Sequence, residues 1–63
     1  MPKQERLTPV EAESLLVKNG FVLLRIKGSH RIYGKEHRRI TIPFHKGKIL
    51  HPKIIKQVFK MIS

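Results

Sequence analysis

The chain has 63 residues, of which 14 are Lys or Arg and 4 are Asp or Glu, so its formal net charge is +10. This length predicts one domain over residues 1–63 with no large enclosed cofactor pocket, because a chain of about 60 residues buries only about 60% of its unfolded surface. The 40% of hydrophobic residues is enough for a folded core. The chain has no cysteine, no signal-peptide pattern and no apolar run long enough to span a bilayer, so we expect a cytoplasmic protein without disulfides.

The positive charge is confined to the part of the chain after Leu24. Up to that residue, Glu5, Glu11 and Glu13 balance the cations, whereas Glu36 is the one acid among the cations that follow. A solvated surface usually mixes both signs, so this segregation indicates a face that binds a polyanion.

The first predicted element is a helix over Pro9–Lys18. Thr8 is in the N-cap position, and Glu11 follows it at the spacing of a capping box. Proline is well tolerated at the first helical position, and the Asn19-Gly20 pair is typical of a helix end.

Three short segments with β-forming residues follow the helix, over Phe21–Lys27, His30–Tyr33 and Arg38–Pro43. Polar turns separate them, which predicts an antiparallel meander. Alternation gives the first strand an apolar face made by Val22, Leu24 and Ile26, and the third strand one made by Ile40 and Ile42.

A second helix is predicted from Pro52 onward. Its apolar residues recur at three- and four-residue spacing, and they are Ile54, Ile55, Val58, Phe59 and Ile62. Two helices with one apolar stripe each, together with a sheet that has one apolar face, predict an α+β fold. We expect two layers in the order αβββα, in which the two helices cover one face of a three-stranded antiparallel sheet.

The sequence leaves the register of the first two strands open. A three-residue loop over 28–30 pairs Ile26 with Ile32, whereas a two-residue loop pairs Ile26 with Arg31. We expect the three-residue loop, because it sets apolar side chains against apolar ones. It would gather four residues on the outer face of the sheet beside an exposed His30, namely Arg25, Lys27, Arg31 and Tyr33.

The four histidines do not form a recognisable metal site. Their spacings of seven, eight and six residues fit no helical ligand pair, and the chain has neither Cys nor Asp. We therefore expect no metal and no cofactor. Carboxylate-pair catalysis is also excluded, since all Glu residues except Glu36 lie in the neutral first segment.

A histidine beside cations is the one catalytic pattern that remains. Attack of a ribose 2′-hydroxyl on the adjacent phosphate needs a proton carrier that titrates near neutrality and positive charge for the phosphorane. His30 lies between Lys27 and Arg31 in the sequence and offers both. An exposed histidine without a catalytic role is the alternative.

The segment Gly28-Ser29-His30-Arg31-Ile32-Tyr33 resembles the G-S-H-x-x-aromatic signature of HicA-type mRNA interferase toxins. The stretches 18–21 and 40–45 resemble the start of that family's first strand and the end of its third, and the region from Lys48 to Ile62 is similar to its final helix. Ile49 departs from the family pattern, in which an acidic or polar residue is common.

This resemblance implies a fold like the double-stranded-RNA-binding domain and metal-independent endoribonuclease activity on mRNA. It makes His30 the essential histidine, as general acid or base, and it implies a cognate HicB-type antitoxin that covers the active site. No membrane partner is expected.

RNA contacts are expected from residues that flank His30 in the predicted arrangement: Arg25, Lys27, Ser29, Arg31, Tyr33, Arg39, His45, Lys46 and Lys48. Tyr33 either stacks on a base or packs in the sheet, and His45 is either a second proton carrier or a loop residue. The alternative functions are a non-catalytic RNA-binding module of the same fold and a ribosome-associated basic protein.

Overall fold

A computed structural model describes residues 6–45 and 48–63 of the chain. Its elements follow the predicted αβββα order, and their bounds are α1 Pro9–Lys18, β1 Val22–Lys27, β2 His30–Lys35, β3 Arg38–Pro43 and α2 Pro52–Ile62. The three strands form one antiparallel sheet in the order β1-β2-β3. The predicted α+β fold is therefore confirmed.

Both ends of α1 form as the sequence predicts. The Thr8 amide donates to Glu11 Oε1 over 2.9 Å, and the Glu11 amide donates to Thr8 Oγ1 over 3.2 Å, which completes the capping box. The helix ends at Asn19, and Gly20 follows with φ 94°. Lys35 Nζ donates to the Asn19 carbonyl over 2.9 Å, so β2 also holds this end of the helix.

The core lies between the two helices and one face of β2 and β3. Ile40 and Ile42 are buried on that face, as predicted, and Leu16 of α1 and Val58 of α2 pack against them. Both helices pack against β3 and against each other. The two helices therefore lie over the edge of the sheet that β3 forms.

The predicted register between β1 and β2 is wrong. Gly28 and Ser29 form a two-residue turn, Lys27 lies opposite His30, and Ile26 lies opposite Arg31. Gly28 has φ 61°, which suits a tight hairpin turn that needs glycine at its first central position. A register irregularity at Leu24 then brings Leu23 opposite Tyr33.

The expectation of a buried apolar face on β1 is also wrong. Every residue of β1 is exposed, whereas β2 and β3 each have buried positions. Burial fixes a strand register only where one face is covered. Because the helices pack against β3 and leave β1 exposed, no such constraint acts on β1.

The second helix matches its predicted start and stripe. Ile55 and Val58 are buried, Ile54 and Ile62 are half-buried, and Phe59 is on the boundary of exposure. The N-cap is His51, whose Nδ1 accepts from the Lys53 amide over 3.1 Å. Within residues 6–45 and 48–63, neither helix is long and apolar enough to cross a membrane.

Candidate functional site

His30 is the first residue of the central strand β2. Its neighbours across the sheet are Lys27 on β1 and Pro43 on β3, and its side chain is exposed. The tight turn at Gly28 and Ser29 fixes this position, because a two-residue hairpin leaves the flanking pair directly opposed. A lysine is therefore held beside the imidazole by backbone pairing.

A second histidine lies close to His30 at the same end of the sheet. The amide of Phe44 donates to the Ser29 carbonyl over 2.6 Å, which continues the pairing of β2 and β3 past Pro43. His45 follows, and the centroid of its ring is 6.4 Å from that of His30, with the two rings nearly perpendicular at 84°. The structure thus brings together two imidazoles that are far apart in the sequence.

The segment after β3, which carries His45, is held in place by contacts on the helix side of the sheet. The guanidinium of Arg31 lies 4.2 Å from the centroid of the Phe44 ring, within the range of a cation–π contact. Its Nη1 also donates to Glu13 Oε2 over 3.2 Å, in a half-exposed ion pair. Helix α1 is therefore linked through Glu13 and Arg31 to Phe44, the residue next to His45.

The placement of Arg31 and Tyr33 on the outer face with Arg25 and Lys27 is wrong. In antiparallel pairs, directly opposed residues share a face, and these two lie opposite Ile42 and Ile40 on the helix side. The two-residue turn causes this difference, because it pairs Lys27 with His30 and Arg25 with Ile32. The guanidinium of Arg31 therefore contacts Phe44 from the helix side of the sheet and does not lie on the open face.

Tyr33 is a core residue. Its side chain is fully buried, and its hydroxyl donates to Glu13 Oε2. Burial, followed by the hydrogen bond and the negative charge of Glu13, raises the pKa of Tyr33 to about 12. Of the two interpretations of this residue, packing is confirmed, and a buried ring is not accessible for stacking on a base.

The open face of the sheet carries cations around His30. Arg25 and Lys27 on β1 and Arg39 on β3 lie on the face opposite the helices, because their partners are Ile32, His30 and Gly34. An added Cβ at Gly34 would lie 3.0 Å from Arg39 Nη1, so that guanidinium reaches across β2. No strand residue of this face is acidic.

A groove of about 450 Å³ is lined in part by His45 and by the start of α1. Its lining is largely apolar, with Thr8, His45 and Lys48 at its polar positions, and the remaining residues are Pro9, Val10, Phe44 and Ile49. Ile49, which replaces the acidic or polar residue expected from the resemblance, therefore lines this groove. Lys46, one of the predicted RNA contacts, lies outside the described residues.

The residues that the structure describes do not supply a metal-binding cluster. Among them, no three His, Asp or Glu side chains come together in a way that could hold an ion. Glu13 instead serves as the acceptor for Tyr33 and Arg31.

Sequence reasoning missed this role of Glu13 because the residue was counted only as part of the neutral first segment. A usable signal was present, since Glu13 lies one residue after Ala12 and three before Leu16, both fully buried. Residues at these helical spacings lie along the edge of the buried stripe.

One of three comparisons with known proteins identifies a family for this chain. No curated protein and no solved structure gives a significant match to the chain. A family profile described as the HicA toxin of bacterial toxin-antitoxin matches residues 10–62, which include the Gly-Ser-His turn, the exit of β3 and α2. The chain belongs to the HicA toxin family of bacterial toxin-antitoxin systems.

Proposed function

We propose that this toxin is an endoribonuclease that cleaves mRNA in the cytoplasm without a metal ion and so stops translation. The observation that carries the proposal is the pair of exposed imidazoles, His30 and His45, beside a face of the sheet that bears cations and no acid.

The reaction requires two proton transfers at one phosphate. The ribose 2′-oxygen loses its proton to a base and attacks phosphorus, the bond from phosphorus to the 5′-oxygen breaks, and an acid protonates that leaving oxygen. The products are a 2′,3′-cyclic phosphate and a 5′-hydroxyl. In this proposal His30 performs one of the two transfers.

The separation of the two histidines suits both transfers. A phosphate held between the rings places its attacking and leaving oxygens on opposite sides of phosphorus, and each oxygen needs a nitrogen within about 2.6 to 3.2 Å. Rings with centroids 6.4 Å apart leave room for such a group with little movement. We assign the second transfer to His45.

In this proposal the cations stabilise the negative charge of the reacting phosphate. Lys27 lies directly opposite His30, and Arg25 and Arg39 extend the same face, so a phosphodiester chain crossing the sheet meets positive charge on both sides of the reacting phosphate. The groove beyond His45 is suited to an adjacent nucleotide, with apolar walls for the base and Lys48 for a phosphate.

The direct test is cleavage of RNA by His30→Ala. Loss of a general acid or base lowers the rate by about 10²- to 10⁴-fold, while RNA binding stays within a few-fold. The matched control is His37→Ala, because His37 is exposed in the turn at the other end of β2. Cleavage should persist in EDTA, and an undiminished rate in His30→Ala would leave only the non-catalytic RNA-binding function.

A substrate with sulfur in place of the 5′-bridging oxygen separates the two proton roles. A thiolate leaves without protonation, so the variant that lacks the general acid regains its rate on this substrate, whereas the variant that lacks the base does not. We expect one of His30→Ala and His45→Ala to be rescued. If His45→Ala cleaves the ordinary RNA at the full rate, His45 has no part in the chemistry.

A further inference from the structure

Strand β1 exposes more apolar surface than a small monomeric domain needs. Val22, Leu23, Leu24 and Ile26 are between 41% and 57% exposed, and no residue of the strand is buried. They lie on both faces of the strand: Leu23 and Ile26 on the helix side, opposite Tyr33 and Arg31, and Val22 on the open face, opposite Gly34. Apolar side chains concentrated along one exposed strand mark a contact with another molecule more often than scattered apolar residues do.

The backbone of β1 is also available for pairing. In the described part of the chain β1 pairs only with β2, so along its other side its amide and carbonyl groups have no partner in the sheet. Such an edge is a template for an added strand, which gains main-chain hydrogen bonds along its whole length.

The side chains of β1 define the chemistry of the strand that fits it. Leu23 and Ile26 lie on the helix side, opposite Tyr33 and Arg31, whereas Arg25 and Lys27 lie on the open face. An added strand therefore fits best with apolar residues on the helix side and carboxylates on the open face, because cross-strand neighbours interact in pairs.

This pattern disfavours two other occupants. A second copy of the chain would bring its own Arg25 and Lys27 to the same seam, and each copy carries a net charge of +10. RNA has no peptide groups to complete the ladder and gains nothing from the apolar side chains of β1. The register irregularity at Leu24 and the two cations hinder indiscriminate pairing, as they do at other sheet edges.

We infer that β1 is where the cognate antitoxin docks, by adding an extended segment with alternating apolar and acidic residues as a fourth strand. Because Lys27 lies directly opposite His30, carboxylates beside Lys27 and Arg25 neutralise the charge that an RNA phosphate needs. The added strand then opposes RNA binding through its charge. The docking site rests on the toxin-antitoxin family, and its effect on RNA rests on the RNA binding of the proposed function; neither depends on the chemistry assigned to the histidines.

The test uses the full chain and its cognate antitoxin. Ile26→Lys adds a charge to the helix side of the seam, and Val17→Lys is its control, since Val17 is similarly exposed at 55% on α1. We expect Ile26→Lys to weaken antitoxin binding about tenfold or more and Val17→Lys to leave it within about twofold, with RNA cleavage unchanged in both. In the wild-type complex, amide hydrogen exchange along β1 should slow by about tenfold or more.

Each other result overturns the inference. Unchanged exchange along β1 in a complex that forms would place the antitoxin elsewhere, and equal weakening by both variants would show only an effect of added charge. Self-association of the chain that Ile26→Lys abolishes would assign the edge to a second copy, and slowed exchange caused by RNA would assign it to the nucleic acid. A failure of His30→Ala to reduce cleavage would leave this inference intact.

Discussion

The hydroxyl of Tyr33 offers a direct measure of the contact between α1 and β2. Tyr33 is the single tyrosine of the chain and there is no tryptophan, so the ultraviolet absorbance of tyrosinate reports on this residue alone. We expect the folded protein to titrate with a pKa of about 12 and the denatured protein near 10. Glu13→Gln should lower the pKa of the folded protein part of the way, since burial, the largest cause, remains.

The same shift sets a contribution to stability. The pKa rises from 10.0 to about 12, and each unit corresponds to 1.36 kcal/mol, so the fold favours the neutral phenol by about 3 kcal/mol. Because the folded pKa is the higher one, this contribution is fully present below pH 10 and is lost as the pH rises towards 12. A loss of this size is large beside the roughly 3 to 9 kcal/mol of total stability expected for a domain of this size.

Urea denaturation below pH 10 and near pH 12 measures this loss. Tyr33→Phe keeps the ring in the core but has no group to titrate, so its free energy of unfolding should fall with pH by about 3 kcal/mol less than that of the wild type. Lysine titration affects both proteins and cancels in the comparison. A folded wild-type protein whose tyrosine titrates near 10, or equal pH dependence in the two proteins, would refute the buried contact.

Three further predictions follow from single contacts. Thr8→Ala removes the capping box and should lower the free energy of unfolding by about 1 kcal/mol in urea; no change would mean that the α1 start is held by other contacts. Gly28→Ala, at φ 61°, should cost about 1 to 2 kcal/mol and reduce cleavage more than RNA binding, whereas full activity would show that the turn does not position His30. Arg39→Gln should lower the salt dependence of RNA binding by about 0.7 to 0.9 log units per log unit of salt, and an unchanged slope would remove Arg39 from the phosphate contacts.

The elements of the fold could be predicted because local signals determine them. The capping box at Thr8, the glycine after α1 and the spacing around Ile55 and Val58 each act within one or two turns of chain. The burial of Ile40 and Ile42 followed from simple alternation along β3. Local patterns therefore sufficed wherever the helices cover the sheet.

The arrangement of the site depended on contacts that local patterns do not contain. The alternation of Val22, Leu24 and Ile26 suggested a buried face, but which side of the sheet the helices cover depends on how α1 and α2 pack against β3. The register error then placed Arg31 and Tyr33 on the wrong face. The approach of His45 to His30 likewise depends on long-range pairing between Ser29 and Phe44.

Because β1 is exposed, the residues inferred to bind the antitoxin are different from the residues that stabilise the fold. Side chains outside the core can change with little effect on stability, so Leu23 and Ile26 can vary while the core around Leu16 and Val58 keeps the fold. Duplicated toxins in one cell would therefore diverge most readily along this strand. After such divergence each toxin would be inhibited only by its own antitoxin, while the chemistry at His30 would remain the same.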